Sequence, residues 1–147
     1  MGYMIKMTVS TLLKLLTAFK PETPVVLNCV QEYPDGKRDY WRAQAINVEL
    51  DKDDDEEDSE VVKISMDPEP DFTKRYTVAQ LIDDLNLGIT NKVWNREHFV
   101  ILARQSACWY LQNVNTNLVH IRPKEDVRRH TPAEVVAVVE LNNFINE

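Results

Sequence analysis

A threonine followed by paired apolar residues at helical spacing occurs three times, at Thr8 (TVSTLLKLL), Thr77 (TVAQLIDDL) and Thr131 (TPAEVVAVV). Threonine is a good N-cap because its hydroxyl accepts a hydrogen bond from a backbone N–H with no partner inside the helix. Apolar side chains at i, i+3, i+4 and i+7 then form a stripe along one face. The spacing predicts amphipathic helices over residues 8–20, 77–88 and 131–146. Gly88 stands where a left-handed C-cap would close the second. Pro132 at the first helical position and Glu134 at the third strengthen the start of the last. Such helices must bury their stripes against another layer, which limits the architectures open to the chain.

The segments between them supply that layer. VVLNCVQE (25–32) is a β-branched run, YPDGK is a hairpin turn, and RDYWRAQAINVEL (38–50) is its return strand. VVKISM (61–66), HFVILARQ (98–105), SACWYLQN (106–113) and LVHIRP (118–123) read as further strands, NVNTN as a turn and DPEPD as a polar link. The predicted class is α+β, with three helices packed on a largely antiparallel sheet, because links of hairpin length leave no room for crossovers. A duplicated α-β-β-β unit closed by a terminal helix is one reading of the repeated helix starts. Convergence under the shared demands of capping and burial is the other, and the strands share no residue-level similarity that would favour duplication.

The 147 residues suit one domain, 1–147, with a hydrophobic core. The acidity is concentrated in DKDDDEEDSE, where Asp51, Asp53, Asp54, Asp55, Glu56, Glu57, Asp58 and Glu60 surround a single Lys52. Without this run, the totals of 17 basic and 24 acidic residues fall to 16 of each, so the rest of the chain is neutral. Like charges so dense repel one another, which predicts an extended or mobile loop between two strands that buries nothing. It is either a solubilising loop or a docking element for a partner with a basic surface.

The start of the chain, TV-x-x-LL-x-x-L followed by P-x-x-P-VVL, resembles the start of many small uncharacterised bacteriophage proteins over roughly the first thirty residues. The resemblance implies an accessory protein that binds and inhibits host machinery, and implies no activity.

Several chemistries lack their residues. The acidic run has carboxylates at the first, third and fifth positions of a calcium loop, but Glu56 and Val62 stand where that loop needs Gly and Glu. His98, His120 and His130 have no metal-ligand spacing, and three glycines cannot form a phosphate-binding loop. Cys29 and Cys108 each lie in an apolar run and read as inert buried thiols. No metal, cofactor or catalytic residue is expected. Arg122, Lys124, Arg128 and Arg129 form the most basic segment and are candidates for ligand or anion contact, although Glu125 and Asp126 cut its charge and argue against a nucleic-acid surface. No apolar run is long enough to span a bilayer and MGYMIKM is too short for a signal peptide, so the expected location is cytoplasmic.

The functional expectation is a non-enzymatic interaction protein, which the resemblance makes a phage-encoded inhibitor, engaging a basic host enzyme that handles nucleic acid or serves defence. The alternatives are a small-ligand protein of nucleotide type and an enzyme without a recognisable motif. The apolar residues of 132–146 also predict a homodimer through the last helix.

Overall fold

The first two threonine caps form. Thr8 Oγ1 accepts from Thr11 N at 3.2 Å and starts α1, Val9–Leu16. Thr77 and Gln80 make a reciprocal capping box, with Gln80 N donating to Thr77 Oγ1 and Thr77 N to Gln80 Oε1, and start α2, Val78–Thr90. The YPDGK turn also forms, with Tyr33 N on Lys37 O at 2.9 Å and Gly36 at φ +85°. It joins β1, Val25–Glu32, to β2, Arg38–Lys52. The computed structural model describes residues 6–53, 59–66, 75–105, 107–121 and 134–145.

The predicted class is corrected. Among the described residues there are two helices and seven strands, so the fold is predominantly β and is not three helices on an antiparallel sheet. The remaining strands are β3 (Glu60–Met66), β4 (Val100–Arg104), β5 (Ala107–Tyr110), β6 (Asn113–Ile121) and β7 (Glu134–Asn142). Most of the expected third helix is β7. A short β-branched run such as VVAVV fits a strand as well as a helix, and periodicity alone does not separate the two. Both backbone edges of β7 are used, one by β1 and one by β6, so the helical face on which dimerisation through 132–146 rested is absent. NVNTN is not a turn either, since it opens β6.

The strand order is β5-β4-β3-β2-β1-β7-β6, and it is mixed. β1 runs parallel to β7, and β3 runs parallel to β4 with α2 in the crossover. The long β2 serves both halves: its first part pairs with β1, its second with β3, and the register shifts between Ala45 and Asn47. Such irregularities let a strand turn a corner and change sheets. β5 and β6 end the strand order on opposite sides, yet only Leu111 and Gln112 separate them. Tyr110 and Asn113 are three Cα steps apart, about 11 Å at most, so the sheet curls until its two ends meet. Leu111 N bonds to Val100 O in one half and Gln112 N to Asn142 O in the other, making a second corner.

The halves also exchange helix ends. Val9 N and Ser10 N, at the start of α1, donate to His98 O and Arg96 O just before β4. Val78 N and Ala79 N, at the start of α2, donate to Thr23 O and Pro21 O just before β1. Each helix thus finds acceptors for its unpaired N–H groups on the segment leading into the other half.

Both helices lie on the same side of the curled sheet. Leu12 and Leu16 of α1 and Leu81 and Leu85 of α2 meet Leu27, Ile64, Leu102 and Leu141 in the main core, all fully buried. Gly88 does not cap α2, which continues to Thr90; Trp94 packs against it and donates from Nε1 to Leu85 O at 3.0 Å. Smaller apolar clusters, Val26–Val119–Val136–Val138 and Val61–Ile101–Tyr110, lie apart from this core.

Candidate functional site

The acidic run is a hairpin rather than a free loop at its ends. Asp51 belongs to β2, Glu60 to β3, and Asp53 N bonds to Ser59 O at 2.8 Å between them. The expectation that the run buries nothing is corrected at Asp53, which is 7% exposed and accepts a hydrogen bond from Tyr110. Asp51 is neutralised locally: Lys63 Nζ reaches its Oδ2 at 2.8 Å and Glu49 Oε1 at 3.0 Å. That hydrogen bond holds the Asp51 carboxyl below its ordinary value, and the same two acids raise Lys63. Asp54, Asp55, Glu56, Glu57 and Asp58 lie outside the described residues, and Glu60 is exposed at the start of β3.

The predicted anion-contact residues Arg122, Lys124, Arg128 and Arg129 also lie outside the described residues. The histidines that are described stand apart. His98 Nδ1 accepts from Asn95 N at 3.0 Å, and His120 is exposed on β6. Cys29 is buried, and burial pushes its thiol up to about 12. Cys108 is exposed, against expectation, because its strand ends the sheet. Among the described residues no group of three His, Cys, Asp or Glu side chains converges as a metal site would require, and no helix is long and apolar enough to cross a membrane.

A second polar constellation escapes sequence reasoning. Asn28 Nδ2 donates to Asn142 Oδ1 at 3.1 Å and Asn142 Nδ2 to Asn115 Oδ1 at 2.6 Å, an amide ladder across β1, β7 and β6. Beside it Glu140 is buried: Asn117 Nδ2 donates to its Oε1 at 3.3 Å, and Arg42 Nη2 stands 2.7 Å from Oε2 as an ion pair. The guanidinium thus satisfies Glu140 Oε2, whereas the buried Gln44 Oε1 has no hydrogen-bond partner among the described residues. Val26 faces Glu140 on one side and Gln44 on the other, so the two acceptors flank one small apolar residue. Glu140 and Asn142 were hidden because their segment reads as helix, and Asn115 because NVNTN reads as a turn. The available signal was the spacing Glu140-x-Asn142, which in a strand puts both on one face.

The aromatics divide as strand alternation requires. Tyr40 is exposed, whereas Trp41 turns in to meet Trp109, with ring centroids 5.7 Å apart. Arg104 lies 4.7 Å over the Trp41 ring, and Trp109 Nε1 donates to Gln31 Oε1 at 3.2 Å. The pair ties β2 to β5 across the two halves.

The chain matches no family model, no curated protein and no solved structure.

Proposed function

We propose that this protein acts by binding rather than by catalysis, and that the β2–β3 hairpin is the element that engages a partner with a basic surface. The observation that supports this is the closed base of the hairpin, where Asp53 N meets Ser59 O and the Asp53 carboxylate is held by Tyr110. Five consecutive carboxylates are covalently bound to stay within about three residues, or ~10 Å, of that base. Their field is therefore concentrated over a distance similar to the screening length of about 8 Å in physiological salt. A concentrated negative field on an otherwise neutral body steers encounter with a positive cleft. Following the bacteriophage resemblance, the partner is a nucleic-acid-handling or defence enzyme of a host cell. The test is capture from host lysate at low and high salt, using the native chain and one in which residues 54–58 carry Asn or Gln instead. Basic proteins held by the native chain at low salt and lost from the neutralised one support the reading. Equal retention by both overturns it.

A second reading, small-ligand binding, draws on Gln44. A buried acceptor without a hydrogen bond, Gln44 Oε1, suits a donor group such as the amino face of a nucleobase. A nucleotide that raises the melting temperature of the native chain but not of Gln44→Met would favour it.

A further inference from the structure

We propose that β6 is a self-association edge, at which two copies of the chain pair their β6 strands antiparallel about Asn117 and continue the sheet across a two-fold axis. β6 ends the strand order, so among the described residues its outer side is unpaired. Which groups point outward follows from β7. Val139 N donates to Pro24 O on the β1 side, so the backbone groups of even-numbered β7 residues face β6. Odd-numbered β6 residues oppose even-numbered β7 residues and pair inward; the N–H and C=O groups of Val114, Thr116, Leu118 and His120 therefore point out. Leu118 N–H has so turned from β7 that the neighbouring Asn117 Oδ1 accepts it at 2.8 Å.

The edge lacks the features that keep sheet edges apart. NVNTNLVHI holds no Lys, Arg, Asp, Glu, Pro or Gly, is rich in β-branched residues, and shows no register shift against β7. Thr116, Asn117 and Leu118 are successively exposed, Leu118 at 66%, and Val135 beside it on β7 at 53%. The apolar pair lies next to the open backbone, so a strand added there covers both.

A second copy is the occupant that fits. In antiparallel self-pairing centred on Asn117 all nine residues find partners, and outward groups meet outward groups, Thr116 with Leu118 and Val114 with His120. No charge is brought opposite another. A different partner would be chosen by a charge or pocket pattern, and this strand offers none. The two-fold uses the edge up, so association stops at two.

The register gives a specific test. Asn117 meets its own copy at a non-hydrogen-bonded position, where Cα atoms lie about 4.5 Å apart, within disulfide reach. In a Cys108→Ser background, Asn117→Cys should cross-link into a covalent dimer on mild oxidation, whereas Thr116→Cys, one residue away, should not. Sedimentation of the native chain should show a dimer that dissociates on dilution, and Leu118→Lys should weaken it about 10-fold or more. Leu118→Pro removes an outward donor, bonded in the single chain to the neighbouring Asn117 Oδ1, and should also give a monomer with its melting transition retained. A native chain that is monomeric at every concentration overturns the proposal. So does a dimer that persists in Leu118→Lys, or cross-linking that is equal at positions 116 and 117.

Discussion

Trp94 fills the space that a side chain on Gly88 would need. A Cβ built on Gly88 would stand 2.0 Å from the ring carbon Cε2, far inside contact distance. The ring is fixed by its hydrogen bond to Leu85 O and cannot simply move aside. Gly88→Ala should therefore lower stability by about 1–3 kcal/mol through overpacking, although alanine is ordinarily better in a helix by about 1 kcal/mol. Urea unfolding decides the sign, and a raised midpoint would remove the ring contact as the reason for glycine.

Gly36 is a glycine for another reason. Nothing lies within 4 Å of its missing Cβ, but its φ is +85°. Gly36→Ala should cost about 1 kcal/mol through backbone strain alone. Gly36→Asn should cost less, since asparagine tolerates this conformation. Denaturant midpoints of the two variants should rank in that order.

The acidic run should separate into a structural base and a dispensable tip. Asp53→Ala leaves the buried Tyr110 hydroxyl without its acceptor and should lose about 1–3 kcal/mol. Neutralising residues 54–58 should leave the melting temperature unchanged or slightly raised, because repulsion is relieved. Exchanging the whole of 51–60 for a Gly/Ser linker would lower it, by removing both Asp53–Tyr110 and Asp51–Lys63.

Stability should fall at both ends of the pH range for identifiable reasons. Asp51 is lowered in the folded protein, so its contribution is present above the ordinary carboxylate value near ~4 and is lost as the pH falls through the lowered one. Asp51→Asn should flatten the acid limb. Cys29 is raised from 9.0 to about 12, so the unfolded chain gives up its proton first and stability declines from about pH 9 upward. One proton sets a limit of about 1.4 kcal/mol per pH unit. Cys29→Ala should be less stable at neutral pH because of the cavity, yet show a shallower decline between pH 9 and 11. Chemical denaturation across pH resolves the two slopes.

Local chemistry was legible in the sequence and long-range partnership was not. Thr8, Thr77 and Gln80 cap their helices as residue type and spacing dictate, and Asp35-Gly36 makes its turn, because those interactions close within a few residues. Val135 to Val139 were misread because their apolarity comes from neighbours on both sides in the sheet, which no local pattern records. Asn113 to Asn117 look like a turn because asparagine is costly in a strand; here the cost is offset at Asn115 by the Asn142 amide and at Asn117 by the Glu140 carboxylate, both on β7. The carboxylates of the candidate site were plain, but that Asp53 is buried depends on Tyr110, 57 positions away.

The parallel pairing of β1 with β7 also has a consequence for biosynthesis. Asn28 and Asn142 are 114 positions apart, so one side of β1, whose first three residues are fully buried, has no partner until β7 has left the ribosome. The helix ends cannot cover for it, since each waits for the opposite half. Closing loops of that span is entropically slow, and ordered structure should appear late and all at once rather than half by half. Nascent chains stalled before β7 should therefore be protease-sensitive and bind chaperones, and folding should be sensitive to the rate of translation over the residues in between.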